Sequence, residues 1–300
     1  MRRPSRRAVL GTALGVGLGT ASGCLGTAGE PSAGVEPISL GTAQTLDGRS
    51  VTVSDVAVRD AVLYFETPES LAVASREGER YVVASVTSET GGPSADAFGL
   101  RVGGERYERP VEGVDFGRGA DDVDAPYGPR EGGLRGRVTF LVPVGIEAES
   151  ARIVAEGAET AVGWTLDEAS LAHLRRSRPT FEVASMEAPE TVRVGESASV
   201  RVAVRNVSAV PGVFRGVFSV AGKRGSYALE LPIRPGEMDR WKHTFRRVPT
   251  GWTGDVQFVL DSVVDGRQVL ASTTVETASD AESRTASDSS GTDSPTSTPE

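Results

Sequence analysis

Ser197–Asn206 reads SASVRVAVRN. Val200, Val202 and Val204 fall at every second position, and Arg201, Ala203 and Arg205 fill the places between them. A period of two sends successive side chains to opposite faces of an extended chain, so one face is apolar and the other carries charge. Valine is β-branched and suits a pleated, half-buried surface. The stretch therefore specifies a strand with one face on a core, and Asn206 ends it and opens a turn.

The same grammar extends outward on both sides. From Phe181 to about Val275 come GVFRGVFSV, YALELPI, WKHTF, VQFVLD and VLASTTV, separated by AGKRG, RPGE and PTGWTG. Some seven strands in about 95 residues is the density of one immunoglobulin-like sandwich. Upstream, from Ile38 to Thr165, SVTVSDVAV, AVLYFE, RYVVASVT and GRVTFLVP are again short, β-branched or aromatic, and bounded by Gly, Pro and Asp. In the last of these, Val138, Phe140 and Val142 alternate with Thr139 and Leu141. Between the two blocks lies TLDEASLAHLRRSR, where Thr165 and Glu168 have capping-box spacing and Leu171 and Leu174 share a helical face. Arginines gather at its C-terminal end, where the helix dipole favours them. The sequence thus predicts an all-β chain of two immunoglobulin-like β-sandwich domains, residues 38–165 and 179–275, joined by a short helix within 166–178.

The ends have a different composition. Residues 276–300 are rich in Ser, Thr and Asp with few apolar side chains. Such a tail cannot bury enough surface to fold and is expected to be disordered. Residues 24–37 are small, polar and punctuated by Gly and Pro, as a flexible tether is. Ahead of them stand MRRPSRR and an apolar run from Ala8 to Ala21 interrupted by Gly11, Gly15, Gly17 and Gly19. A basic start followed by a short apolar stretch is the pattern of an export signal, residues 1–23. The run is shorter than the ~20 residues that span a bilayer as a helix.

Ser5-Arg6-Arg7-Ala8-Val9-Leu10 resembles a twin-arginine (Tat) leader, with Ser5, Arg6, Arg7 and Leu10 on the pattern and Val9 where Phe is usual. Ala21-Ser22-Gly23-Cys24 resembles a lipobox, with Ala21 in place of the usual Leu. The two resemblances imply export in the folded state and a lipid on Cys24, the single cysteine. They place the mature chain at the cell membrane, lipid-anchored on the extracellular face. Firm attachment requires about two acyl-type chains.

GERYVVASVT, VGGERYERP and GGLRGRVTFLVP make the first block similar to the telokin-like, immunoglobulin-related domains of exported prokaryotic lipoproteins. The second block, through VRVGESASVRVAVRNVS and LPIRPGEMDRWKHTF, resembles the cell-adhesion-related (CARDB) modules. Such modules are generally extracellular spacers or binding units, and the motifs speak to fold more than to function.

Charge narrows the classes further. Lys and Arg number 32 against 41 Asp and Glu, for a net charge of −9, and residues 1–23 hold four arginines and no acid. Only Lys223 and Lys242 are lysines. An acidic, lysine-poor surface resembles the proteins of extreme halophiles, in which carboxylates keep the chain hydrated. GC-rich coding also favours Arg over Lys, but acidity and lysine scarcity occur here together. A net-negative chain without a basic stripe is a poor partner for phosphate backbones, so no nucleic-acid partner is expected.

Chemistry-bearing residues are few. His173 and His243 fall in different blocks and Cys24 is assigned to a lipid, so neither a Cys/His zinc site nor a blue-copper site can be assembled. No Gly-x-Ser-x-Gly elbow follows the leader, and neither histidine lies near a serine motif. Asp115, Asp121, Asp122 and Asp124 form an acidic stretch that lacks the EF-hand spacing and reads as a solvated loop. Asn206-Val207-Ser208 is an N-glycosylation acceptor built on the only asparagine. The expected function is a non-catalytic binding or envelope-interaction module with no cofactor, its partners a membrane through the lipid and an envelope protein or glycan. An accessory subunit of an envelope transporter or enzyme is the alternative, and a surface hydrolase the third.

Overall fold

The computed structural model describes residues 38–67, 69–109, 126–264 and 268–277. Arg6, Arg7, Cys24 and the acidic stretch Asp115–Asp124 lie outside them. The described chain is all-β and forms two immunoglobulin-like sandwiches with separate hydrophobic cores.

Among the described residues twelve strands precede the helix. They are β1 (Ile38–Ser39), β2 (Ala43–Leu46), β3 (Arg49–Arg59), β4 (Val62–Thr67), β5 (Ser70–Ala74) and β6 (Glu79–Ser88), then β7 (Phe98–Val102), β8 (Glu105–Tyr107), β9 (Gly128–Arg130), β10 (Gly133–Pro143), β11 (Ala151–Glu156) and β12 (Ala161–Thr165). One sheet has the order β1-β12-β11-β7-β8 and the other β2-β3-β6-β10-β9. Val138, Phe140 and Val142 are fully buried between them, as their alternation predicts. Trp164 is also fully buried, and its indole N–H donates to the Thr42 carbonyl at 2.8 Å. The β2–β3 hairpin turns at Asp47 and Gly48, with φ of 47° and 77°, the two positive angles that a tight two-residue hairpin needs.

Strand β6 shows why a run such as Tyr81-Val82-Val83-Ala84 carries apolar residues on both faces. Val82, Ala84 and Val86 belong to the sandwich core. Tyr81 and Val83 point the other way, into a small cluster with Val62 and Ala74 from the β4–β5 hairpin. This hairpin also reaches the second sandwich. The Leu71 amide donates to Ser226 Oγ at 2.6 Å, and Glu69 faces Arg224 at 3.5 Å.

The helix α1 (Glu168–Arg175) begins one residue pair later than the sequence pattern suggests. Thr165 is still paired in β12, and Asp167 is the cap, its carboxylate accepting from the Ser170 amide at 2.8 Å. Asp167 takes the capping role because its side chain reaches the third amide of the turn from the extended residue just before the helix. Leu171 and Leu174 close the end of the first core.

After Arg176–Thr180 the second sandwich follows. Its strands are β13 (Phe181–Glu187), β14 (Thr191–Arg193), β15 (Ala198–Asn206), β16 (Gly212–Val220), β17 (Ser226–Ile233), β18 (Met238–Phe245), β19 (Gly254–Ser262) and β20 (Val269–Glu276). They form one sheet of order β13-β15-β18 and one of order β14-β20-β19-β16-β17. Val200, Val202 and Val204 have no exposed surface, so the alternation in the opening stretch is realised. Phe218 is the centre of an aromatic core, 5.2 Å from Trp241 and 5.8 Å from Phe258 between ring centroids. In both sandwiches a short early strand runs parallel to the last, β1 along β12 and β14 along β20.

Leu174 is fully buried, whereas Glu168 lies on the open side of the helix and pairs with Arg175 at 3.0 Å. Leu174→Ala should lower the free energy of unfolding by about 2–5 kcal/mol. Glu168→Ala should cost less than about 1 kcal/mol. Denaturant melts of the two variants beside the parent chain measure both.

Candidate functional site

The helix, the β3–β4 turn and the start of the second sandwich meet at a waist crowded with arginine. Arg80 opens β6 on its core-facing side and has no exposed surface. A buried cation needs partners, because desolvation makes an isolated one untenable. Its Nη1 donates to the His173 carbonyl in the last turn of α1, which also accepts the Arg176 amide at 3.3 Å. Its Nη2 lies 3.0 Å from Asp60 Oδ1, close enough for an ion pair but off the hydrogen-bond axis. His173 Nε2 stands 3.9 Å from the other Asp60 oxygen. Burial pushes the Asp60 carboxyl up, but His173 together with the charges of Arg80 and Arg178 outweighs it and holds the group below the usual carboxylate range.

Arg178 ties down the neighbouring backbone. Its guanidinium donates to the carbonyls of Arg76 and Asp60 at 2.7 and 2.8 Å. Arg175 donates through Nε to the Ala148 carbonyl at 2.7 Å. Both side chains are therefore committed to holding the junction.

Other arginines at the waist are not. A cavity of about 520 Å³ opens beside α1, lined by Arg59 at the end of β3, Arg176 just after the helix, Arg215 on β16 and Arg234 after β17. The acids at its wall are Asp60 and Glu237. Asp60 is engaged by Arg80, and Glu237 lies 3.9 Å from Arg234. Arg215 is 8% exposed and reaches Glu230 at 3.4 Å. Arg59 and Arg176 make no ion pair with any described residue, and Arg176 Nε is buried without a hydrogen-bond partner. Val58, Val213 and Ile233 supply an apolar wall.

The electrostatics agree with this count. Burial pulls the Arg215 guanidinium below its ordinary range; Glu230 opposes the shift, and the charge of Arg59 adds to it. Burial does the same to Arg80, with Asp60 opposing and Arg176 and Arg178 adding to it. Each buried arginine thus feels other arginines, and the waist carries a surplus of positive charge in a chain whose net charge is −9. A second cavity, of about 530 Å³, lies alongside and is also bordered by Asp60. Among the described residues its only arginine is Arg178, already donating to carbonyls.

Of the two sequence readings of Asn206, the structure realises the turn. It has no exposed surface. Both hydrogens of Nδ2 are used, to the carbonyls of Val210 and Ile233 at 2.8 and 3.0 Å. Oδ1 accepts from the amide and the hydroxyl of Ser208 at 3.0 and 2.7 Å. The folded chain leaves this nitrogen no room for a sugar, and the Asn-x-Ser spacing serves a buried turn instead.

The two histidines are not brought together. His243 sits in β18 with its ring 3.8 Å from that of Tyr227 and 4.5 Å from that of Phe245. Burial keeps its pKa below the usual range, so it is a neutral member of the aromatic rim. Among the described residues no group of three or more His, Cys, Asp or Glu is placed to hold a metal ion. No helix among them is long and apolar enough to cross a membrane.

No family model matches the chain, and no curated protein does. Among solved structures it is similar to a β-glucosidase from Listeria innocua in complex with isofagomine, at 15% identity and a TM-score of 0.26, over 33% of this chain and 16% of that one. The CARDB domain of a Pyrococcus furiosus protein matches at 16% identity and a TM-score of 0.28, over 32% of this chain and 94% of that domain. The alkylpurine DNA glycosylase AlkC of Pseudomonas fluorescens, bound to DNA containing an abasic site analog, matches at 8% identity and a TM-score of 0.28, over 33% and 31%. Each likeness covers about a third of this chain, and none transfers an activity to it.

Two outcomes test the site. Asn206→Ala removes a donor from the buried Ile233 carbonyl and the acceptor of the Ser208 amide, and should cost roughly 1–3 kcal/mol in a denaturant melt; intact mass of the native chain should show no glycan at this residue. The folded pKa of Asp60 lies below its unfolded value of about 3.9, so its contribution is complete above that value and is lost as the pH falls through the folded pKa. The stability gap between the parent chain and Asp60→Asn should therefore be widest near neutral pH and shrink below about pH 4, as read by urea melts across that range.

Proposed function

We propose that this chain is a non-catalytic binding protein, held on the extracellular face of the cell membrane by a lipid on Cys24. The observation that carries the binding half is the waist cavity, with two guanidiniums that no described carboxylate satisfies. A site of that kind holds a ligand through charge and hydrogen bonds and needs no reacting group of its own. The anchoring half is supported by the order of features in the leader: Arg6 and Arg7, a glycine-broken apolar run, then small residues and Cys24. In this reading residues 24–37 are a tether, and the two sandwiches are a telokin-like and a CARDB-like module. The acidic, lysine-poor composition suits a halophilic archaeal surface, where bound water and not bulk charge screening maintains solubility.

Fractionation of cells expressing the parent chain and Cys24→Ser tests the anchoring. The parent should sediment with membranes and the variant should be released to the medium. A variant that stays with the membranes overturns the lipid assignment.

A further inference from the structure

We infer that the waist cavity binds a small organic anion, its oxyanion group held by Arg59, Arg176 and Arg215 and its carbon body laid against Val58, Val213 and Ile233. The inference rests on the binding reading above and adds the ligand's chemical class.

Three observations lead to it. First, the cavity's positive charge exceeds its negative charge once the existing pairs are removed. Asp60 belongs to Arg80 and Glu237 to Arg234, which leaves Arg59 and Arg176 without a carboxylate among the described residues. Second, the charge is desolvated. Arg215 is more than nine-tenths buried, and Arg176 Nε is buried with its hydrogen unused. The charge of Arg59 acts unfavourably on the buried Arg215, and an oxyanion relieves this by pairing with guanidinium in the planar, two-oxygen geometry that it favours. Third, size and wall composition set the rest of the ligand. About 520 Å³ falls within the range of small-molecule sites and exceeds what a bare inorganic anion fills. The valine and isoleucine wall gives no hydrogen bond, so the part of the ligand that meets it is apolar.

Carboxylate, sulfonate and sulfate groups share this chemistry, and calorimetry of the purified full chain separates them. The probes are benzoate and benzenesulfonate (head and body together), inorganic sulfate (head alone) and benzyl alcohol (body alone). The expected result is binding of one or both aromatic anions, at least tenfold weaker binding of sulfate, and no heat from benzyl alcohol. Added sodium chloride should weaken the binding, because the contact is between charges. Arg59→Gln and Arg176→Gln should each weaken the aromatic anion at least tenfold with an unchanged circular dichroism spectrum and melting midpoint. Arg193→Gln, remote from the cavity, should leave it unaltered.

Silence from all three anions overturns the inference, as does equal binding by the parent and the two cavity variants. Benzyl alcohol binding as well as benzoate overturns the role of charge, and sulfate binding as tightly as the aromatic anions overturns the role of the apolar wall. None of these results alters the membrane partition of the parent chain, so failure of the ligand class and failure of the anchor are read separately.

Discussion

A guanidinium with no exposed surface fixes the helix that joins the two sandwiches of this chain. Arg80 enters the end of the first core beside Val82 and Ala84, and the cost of placing its charge there is met by one carboxylate, Asp60, and one helix-terminal carbonyl, that of His173. A pair of this kind is weak evidence of net stability, since apolar residues of the same volume often serve as well. What it supplies is position. Asp60 is in the β3–β4 turn and His173 in the last turn of α1, so satisfying Arg80 fixes the helix against the sandwich. Arg178 repeats the device one step along the chain by clamping the carbonyls of Asp60 and Arg76. The course of Arg176–Thr180, and with it the entry into β13, follows from where those donors can reach.

Period-two alternation made the strands legible, because each sandwich is covered on one face and wet on the other over most of its length. Val200, Val202 and Val204 and the Val138–Phe140–Val142 set are direct translations of pattern into burial. The pattern fails where a second layer is added. The apolar residues on both faces of β6, and Arg215 within GVFRGVFSV, are signs that the outer face of those strands is also covered. The cover is the β4–β5 hairpin, which contacts β16 as well as the outer face of β6. A single sequence does not say which distant segment supplies such a cover. The waist cavity was illegible for the same reason. Its arginines come from the end of β3, the chain after α1, β16 and the chain after β17, and only the fold brings them together. Arg176 was visible merely as one of several cations at a helix C-terminus, where the dipole alone accounts for them.

Asn206 carries two readings in the sequence, a turn at the end of a strand and a glycan acceptor. Asn-x-Ser is the acceptor spacing for glycan, but it is also the spacing at which an asparagine side chain caps the amide and hydroxyl two residues ahead. The two meanings differ only in where the side chain points. Here Asn206 falls on the same face of β15 as Val200, Val202 and Val204, which turns it inward, and four hydrogen bonds consume the whole carboxamide. The buried carbonyl of Ile233 receives a side-chain donor because this amide is present, while that of Val210 also accepts from the Ser208 hydroxyl. The chain's one asparagine is thus part of the packing of the second sandwich.

The acidic composition and the cationic waist are complementary features. Surface carboxylates spread over a net −9 chain repel anions at long range, and strong salt screens that field within a few ångströms. A partly buried cluster is screened less than an exposed pair, so salt weakens the attraction of Arg59, Arg176 and Arg215 without abolishing it. Selection between ligands then falls to the contact geometry inside the cavity and not to steering from outside. The cavity draws its walls from both sandwiches, with Val58 and Arg59 on one side and Val213, Arg215 and Ile233 on the other. An anion seated between them adds a cross-link to the one already made by the hairpin. By mass action, whatever binds this arrangement more tightly than a looser one also stabilises it. The same few arginines therefore tie ligand recognition to the mutual orientation of the two modules.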